Sequence, residues 1–215
     1  MTVAGIILAG GLARRIGGGD KPLRLLAGRP ILDHVVARIR PQLSALALNA
    51  NGDPTRFEQW GLPVIADPIP DHPGPLAGIL AGMDWARSSL PGMRDIVTVP
   101  GDTPFLPTDL VERLVSARNA VSADIAIAAS AGRSHPVVGL WSVRLTEQLR
   151  QMLTTDGPRK VEVFVARYRV AVVAFPVDPV DPFHNINREA DLTVAEVFAA
   201  GSGLSTAASA RRRSS

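Results

Sequence analysis

The chain has 215 residues, of which 46% are hydrophobic and 20% charged, with no cysteine and a formal net charge of +3. This length predicts one large domain with a substantial core, and the lack of cysteine excludes disulfides, a thiolate zinc site and a cysteine nucleophile. The 23 basic residues include three arginines at 211–213, and the remainder equal the 20 acidic residues. A nucleic-acid-binding surface is therefore not expected.

Short apolar runs alternate along the chain with longer helical patterns. We predict strands at 3–9, 46–50, 63–67, 95–101, 123–129, 135–142 and 169–177. We predict helices at 30–43, 75–89, 107–119 and 188–200, and the segment 158–168 is predicted as a helix with a strand as the alternative. This alternation is typical of βαβ units, so we expect an α/β fold with a mostly parallel central sheet.

The two ends of the chain differ in character. The first apolar run, 3–9, is too short for a signal peptide or a membrane span, which favours a cytoplasmic protein that does not contact a membrane. Residues 201–215 consist mostly of small polar residues and arginines. We predict a single domain over 1–200 and a disordered tail over 201–215.

Glycines and polar residues stand at or just beyond the ends of the first four predicted strands. They are Gly10 and Gly11, then Asn49 and Asn51, then Asp67, and finally Asp102. In an open parallel sheet, ligands bind beyond the carboxyl ends of the strands. We therefore expect these residues to share one rim.

The segment GGLARRIGGGDK after the first strand combines five glycines with two arginines and a lysine. It matches neither the P-loop pattern nor the dinucleotide-binding pattern G-x-G-x-x-G. Glycines let backbone N–H groups approach phosphate oxygens, and Arg15 and Lys21 can neutralise phosphate charge. The segment is predicted to bind an anionic ligand, the alternative being a surface loop with incidental charges.

Five stretches together resemble the molybdenum cofactor guanylyltransferases: LAGGLARRIGGGDK, PGPLAGI, VPGDTPFLP, HPVVGL and NINREADL. The resemblance covers residue 4 to about 199 in the same order. It implies a Rossmann-like three-layer nucleotidyltransferase fold and transfer of GMP from GTP to molybdopterin, with Mg²⁺ and release of pyrophosphate. The chain departs from the pattern at Gly101, where many relatives have cysteine, and at Arg188 and Glu189, where they often have Thr-Pro.

The resemblance also implies a set of residues that contact the nucleotide or the pterin. They are Leu8, Ala9, Gly10, Gly11, Lys21, Asn49, Asp67, Gly74, Asp102, His135, Asn185 and Asn187. Arg15, Lys21 and Asp102 are expected to take part in catalysis, with Asp102 as the Mg²⁺ ligand, because Mg²⁺ is usually held by one or two carboxylates plus substrate phosphates.

Several of these residues also have a simpler structural interpretation. Asp67 can open a turn with the proline that follows it, and Asp102 can cap a helix beginning near Pro107. His135 can serve as a structural hydrogen-bonding group. Arg159 and Lys160 can meet the molybdopterin phosphate or lie on a solvated turn.

Asn185 and Asn187 are two positions apart, and we predict that they alternate on one strand face so that both point into the cleft.

Three other functions remain open on the sequence. The first alternative is a cytidylyltransferase of the same cofactor, in which the first motif is usually LAAG where this chain has LAGG. The second is a sugar-phosphate nucleotidyltransferase, with the motif G-G-x-G-T-R-L, whose Gly and Thr are replaced here by Ala13 and Arg14. A non-catalytic cofactor carrier would not need Lys21 and Asp102. Transient contact with cofactor-insertion proteins or molybdoenzymes is a further expectation.

Overall fold

The computed structural model describes residues 2–10, 21–69, 74–155 and 160–201. The strands in these ranges are β1 (Ala4–Leu8), β2 (Leu25–Leu26), β3 (Arg29–Pro30), β4 (Ala45–Asn49), β5 (Val64–Ile65), β6 (Asp95–Pro100), β7 (Ile125–Ser130), β8 (Arg133–Ser142) and β9 (Val170–Ala174). The α-helices are α1 (Ile31–Ile39), α2 (Pro75–Ser89), α3 (Leu110–Ala120), α4 (Thr146–Thr154), α5 (Val161–Val165) and α6 (Glu189–Gly201). Short 3₁₀ helices lie at Lys21–Leu23, Arg40–Gln42, Pro54–Trp60 and Val143–Leu145.

Seven strands form one sheet in the order β5-β4-β1-β6-β8-β7-β9. Strand β8 runs antiparallel to its neighbours β6 and β7, and the other pairings in this sheet are parallel. The predicted mostly parallel sheet is confirmed. The carboxyl ends of six strands and the amino end of β8 therefore lie along one edge.

The side chains of each strand alternate between two cores, one on each face of the sheet. Ile7 belongs to the core that also contains residues of α1, α3 and α6, whereas Ile6 belongs to the core that contains residues of α2, α4 and α5. Both isoleucines are fully buried. Full burial of a side chain of this size stabilises the fold by about 1.5–3 kcal/mol, so the three-layer arrangement follows from this alternation.

Helix α2 lies close to the sheet because it has glycines where it faces β1 and β4. A Cβ atom at Gly78 would come within 2.2 Å of Asn49 Oδ1, and one at Gly82 within 2.4 Å of Ile6 Cγ1. Pro75 begins the helix, a position where its missing N–H is not needed. The start of α2 is thereby brought near the end of β4.

The prediction of a strand around Asn185 and Asn187 is wrong. Residues 184–187 form a loop without strand pairing, because their backbone hydrogen bonds go elsewhere. Ile186 N–H donates to the Asp102 carbonyl at 3.0 Å, and Asn187 N–H donates to the Asp191 carboxylate at 2.8 Å.

Other boundaries differ by a few residues, and some elements had no sequence prediction. The helix predicted from Pro107 begins at Leu110, and neither Thr108 nor Asp109 caps it through its side chain. Gln42 Oε1 instead accepts the N–H of Val111, at 2.9 Å. Helix α4 and the short β2–β3 pair were not predicted, whereas the helix predicted over 158–168 is found as α5.

Candidate active site

Strands β1, β4, β5 and β6 end at one edge of the sheet, as predicted. Leu8 pairs with Asn49 on one side and with Pro100 on the other. Just beyond these pairs, Ala9 N–H donates to the Asn49 carbonyl at 2.9 Å, and Gly101 N–H donates to the Leu8 carbonyl at 3.0 Å. The predicted Leu8, Ala9 and Gly10 therefore lie at the centre of this edge.

A polar cluster of Asn49, Asn51 and Asp67, which we call the β4 side, occupies one part of the edge. The two carboxylate oxygens of Asp67 accept hydrogen bonds from Asn49 Nδ2 at 2.9 Å and Asn51 Nδ2 at 2.7 Å. Asp67 N–H in turn donates to Asn51 Oδ1 at 2.8 Å. The cluster holds Asp67 in place, and each of its oxygens keeps a further lone pair for a ligand donor.

Asp102 and Lys21 lie in the middle of the edge. Asp102 is two residues beyond β6, and Lys21 begins the 3₁₀ helix Lys21–Leu23. Burial raises the pKa of the Asp102 carboxyl group, and the charge of Lys21 acts in the opposite direction. Among the described residues, no side chain hydrogen-bonds to the Asp102 carboxylate. The carboxylate is therefore available to a cationic ligand.

The alternative that Asp102 caps a helix does not fit the structure, because α3 begins only at Leu110.

The loop that carries Asn185 and Asn187 packs against this centre. Lys21 Nζ donates to Asn187 Oδ1 at 2.7 Å, and Thr103 Oγ1 donates to Asn185 Oδ1 at 2.7 Å. The fully buried Thr103 was missed in the sequence, although its place directly after Asp102 could have suggested it. The loop therefore joins the site through side-chain contacts rather than as part of a strand.

A second cluster, Ser130, His135 and Asp181, lies where β7 ends and β8 begins. Together with Thr103 and the loop at 181–188, we call it the β8 side. His135 Nε2 is 2.7 Å from Ser130 Oγ, and Ser130 Oγ donates to Asp181 Oδ1 at 2.7 Å. The His135 ring also lies 5.0 Å, between centroids, from the ring of Phe183. Of these three residues, only His135 was predicted from the sequence.

The remaining predicted residues are placed as follows. Gly74 directly precedes α2 with φ +154°, and an added Cβ atom there would meet nothing within 4 Å. Lys160 is exposed and directly precedes α5. Gly11, Arg15 and Arg159 lie outside the described residues, as does most of the predicted tail.

The residues that the structure describes contain no group of three or more His, Asp or Glu side chains able to hold a metal ion. A metal site here would need most of its ligands from a substrate or from water. Mg²⁺ binds in this way, through one or two carboxylates plus phosphates. The available carboxylate of Asp102 fits such an ion.

In the described ranges, no helix has both the length and the apolar character needed to cross a membrane.

Comparison with known proteins supports a relationship over nearly the whole chain. Residues 5–170 match the family described as MobA-like NTP transferase domain. A molybdenum cofactor guanylyltransferase of Bradyrhizobium sp. (strain ORS 278) is 56% identical over 199 residues, which cover 93% of this chain and 94% of that protein.

Solved structures share the fold at lower identity. Molybdopterin-guanine dinucleotide biosynthesis protein A of Archaeoglobus fulgidus has a TM-score of 0.71 at 22% identity, with 93% of this chain and 100% of that chain covered. A Mycobacterium tuberculosis protein solved in complex with manganese has a TM-score of 0.67 at 16% identity, with 92% and 99% covered.

Proposed function

Because the chain belongs to the molybdenum cofactor guanylyltransferases, we propose that it transfers GMP from GTP to the terminal phosphate of molybdopterin. The products are molybdopterin guanine dinucleotide and pyrophosphate. We further propose that the edge of the sheet is the active site, with the nucleotide on the β4 side and the pterin toward the β8 side.

The proposed nucleotide site uses the backbone at Leu8, Ala9 and Gly10 together with the polar cluster beside it. Guanine carries two neighbouring donors, N1–H and the exocyclic amine, and a carboxylate can accept both. Asp67 is suited to this role because Asn49 and Asn51 fix its orientation. A fixed acceptor favours binding because little rotamer freedom is lost on contact.

The proposed reaction needs no strong general base, because the attacking atom is already a phosphate oxygen of molybdopterin. This oxygen forms a bond to the α-phosphorus of GTP as the bond to the bridging oxygen of the β-phosphate breaks, and pyrophosphate leaves with the electron pair. Catalysis then depends on in-line positioning and on neutralising charge. Lys21 can reach the phosphates after exchanging its contact with Asn187, and Arg15 is proposed to assist it.

The metal is proposed to be Mg²⁺, held by Asp102 and by substrate phosphates. When bound, such an ion supplies Lewis-acid stabilisation of charge on the phosphoryl oxygens. Use of a divalent ion is supported by the manganese complex of the structural neighbour and by the Asp102 carboxylate, which has no side-chain hydrogen bond within the described ranges. Lys21 lies near enough to lower the cost of keeping that carboxylate ionised before the ion arrives.

Gly74, Asn185 and Asn187 are proposed to contact the substrates as well. We expect the reaction to occur in the cytoplasm and the product to pass by transient contact to insertion proteins or molybdoenzymes.

The observation that carries the proposal is the half-buried Asp102 carboxylate beside Lys21, at the centre of a rim with polar clusters on both sides. The test is release of pyrophosphate from GTP, measured with and without molybdopterin and with Mg²⁺, Mn²⁺ or EDTA. We expect release only when both molybdopterin and a divalent ion are present. Release without molybdopterin would indicate a simple hydrolase, and no release under any condition would contradict the proposed function.

A further inference from the structure

The β8 side contains a series of hydrogen-bonded side chains that have no role in the proposed reaction. It runs from Asp181 through Ser130 to His135, with both links at 2.7 Å. Asp181 Oδ1 also accepts the N–H of Phe183, at 3.0 Å. Asp181 is therefore held by the backbone of the same loop that carries Asn185 and Asn187.

The direction of the hydrogen bonds follows from the number of protons available. A carboxylate can only accept, so the one proton of the Ser130 hydroxyl is donated to Asp181. Ser130 Oγ can then bind His135 only as an acceptor. The proton must therefore lie on His135 Nε2, which leaves Nδ1 of a neutral ring as an acceptor.

Two features hold the ring neutral and in one orientation. Burial lowers the pKa of His135, and Arg133 acts in the same direction while Asp181 opposes them. The ring lies against Phe183, which is 4% exposed and makes a T-shaped contact with Phe175 at 5.3 Å. Nδ1 has no hydrogen-bond partner among the described residues.

The sheet order places this acceptor away from the nucleotide. His135 is on β8, three strands from β4, which corresponds to about 14 Å at the usual spacing between strands. Asp102, beyond the end of β6, lies between them. A group on β8 therefore lies beyond Asp102 from the proposed guanine site.

We propose that Asp181 and Ser130 are positioning residues that fix His135 as the Nε2–H tautomer, so that its Nδ1 accepts a hydrogen bond from an N–H group of the pterin. A substrate with an N–H donor opposite Nδ1 is favoured, because a ligand without this donor leaves the partly buried Nδ1 without a hydrogen bond. This inference rests on the proposed function for the identity of the substrate but not for the tautomer.

The tautomer is measured first, on the intact protein without substrates. The sequence has four histidines, so ¹⁵N-histidine labelling gives a simple two-bond ¹H–¹⁵N spectrum, and the His135 signals are assigned as those missing from the spectrum of His135→Gln. We expect a protonated Nε2 and an unprotonated Nδ1 at pH 7.5. A protonated Nδ1, or rapid averaging of the two tautomers, would overturn the proposal whatever the enzyme's activity.

The consequence for binding is measured with Ser130→Ala. We expect the KM for molybdopterin to rise about five- to tenfold, as for loss of one hydrogen bond, with kcat and the KM for GTP within about twofold of wild type. Ser142→Ala, a half-buried serine at the opposite end of β8, is the matched control and should change neither KM. A wild-type molybdopterin KM in a folded Ser130→Ala protein would overturn the positioning role.

The same measurements separate this inference from the proposed function. If the spectrum shows the Nε2–H tautomer of His135 but the protein has no guanylyltransferase activity, the proposed function and the pterin assignment are contradicted. The hydrogen bonds from His135 through Ser130 to Asp181 would still be supported. An active enzyme with the other tautomer would contradict the inference alone.

Discussion

The β4 side and the β8 side of the site are built in different ways. On the β4 side, Asn49, Asn51 and Asp67 follow parallel strands and contact one another within 18 residues of sequence. On the β8 side, Ser130 is linked to Asp181, 51 residues later, and Thr103 is linked to Asn185, 82 residues later. The first side is a product of local sequence and strand topology, whereas the second depends on a C-terminal loop that returns to the sheet.

We infer from this difference that the two sides bind different substrates. The proposed nucleotide site is a surface that forms once β1, β4 and β5 are in place. The proposed pterin site is complete only after the loop at 181–188 has docked. Variants on the two sides should therefore affect the KM values of different substrates, while variants at Asp102 should affect the chemical step itself.

The largest effect on activity is expected for Asp102→Asn, at the centre of the site between the β4 side and the β8 side. The substitution keeps the shape of the side chain but removes the proposed metal ligand's charge, and we expect kcat to fall on the order of 10²-fold or more. Burial raises the pKa of Asp102 in the folded protein, so the ionised carboxylate lowers the free energy of unfolding at pH values above this pKa. This destabilisation is lost as the pH falls and the carboxyl group is protonated. The unligated variant should melt at or above the wild-type temperature at pH 7.5. A folded variant with near-normal turnover across a Mg²⁺ titration would assign the metal to another group.

The next effect is expected on the β4 side, for Asp67→Asn. One oxygen becomes an NH₂ group that faces the amide donor of Asn49 or Asn51, so the fixed orientation is lost. We expect the KM for GTP to rise about tenfold or more and the KM for molybdopterin to stay within about twofold. Asp53→Asn is the control, because Asp53 caps a neighbouring turn through Thr55 and asparagine caps equally well. Equal rises in both KM values would contradict the division between the two sides.

A smaller effect is expected on the β8 side, for Thr103→Val. This change removes the hydroxyl that holds Asn185 and leaves the size of the side chain nearly unchanged. We expect the KM for molybdopterin to rise about fivefold, with the KM for GTP unaffected, in steady-state assays. The exposed Thr108, changed to valine, serves as the control. The prediction is contradicted if GTP binding weakens instead.

The smallest effect is expected for the contact that ties α6 to the start of the chain. Arg24 pairs with Glu189 at 2.5 Å, but Glu189 is 77% exposed. Exposed ion pairs contribute about 0–1 kcal/mol, so Glu189→Ala should lower the free energy of unfolding by no more than about 1 kcal/mol in a urea titration, without changing either KM. A loss of activity would show that this contact positions the loop before it.

The sequence predicted the β4 side well, because each of its residues stands at or just beyond the end of a strand whose apolar pattern is clear. The parallel order then brings Asn49 and Asp67 together without further information. Asp102 was predictable for the same reason. The resemblance supplied the identity of the ligand, which strand topology does not give.

The β8 side was predicted less well. Alternating polar residues at 185 and 187 suggested a strand, but the backbone donors there bond to Asp102 and Asp191. Such pairings join residues far apart in sequence and leave no periodic pattern. Ser130 and Asp181 were missed because neither belongs to a chemical motif until the fold brings them to His135.

The most direct test of the assigned reaction is a competition between nucleotides. The purified protein is incubated with Mg²⁺, molybdopterin and an equimolar mixture of GTP and CTP, and the dinucleotide products are identified by mass spectrometry. We expect molybdopterin guanine dinucleotide in large excess, together with an equal amount of pyrophosphate. A cytosine dinucleotide as the main product, or bound pterin recovered without any dinucleotide, would contradict the account.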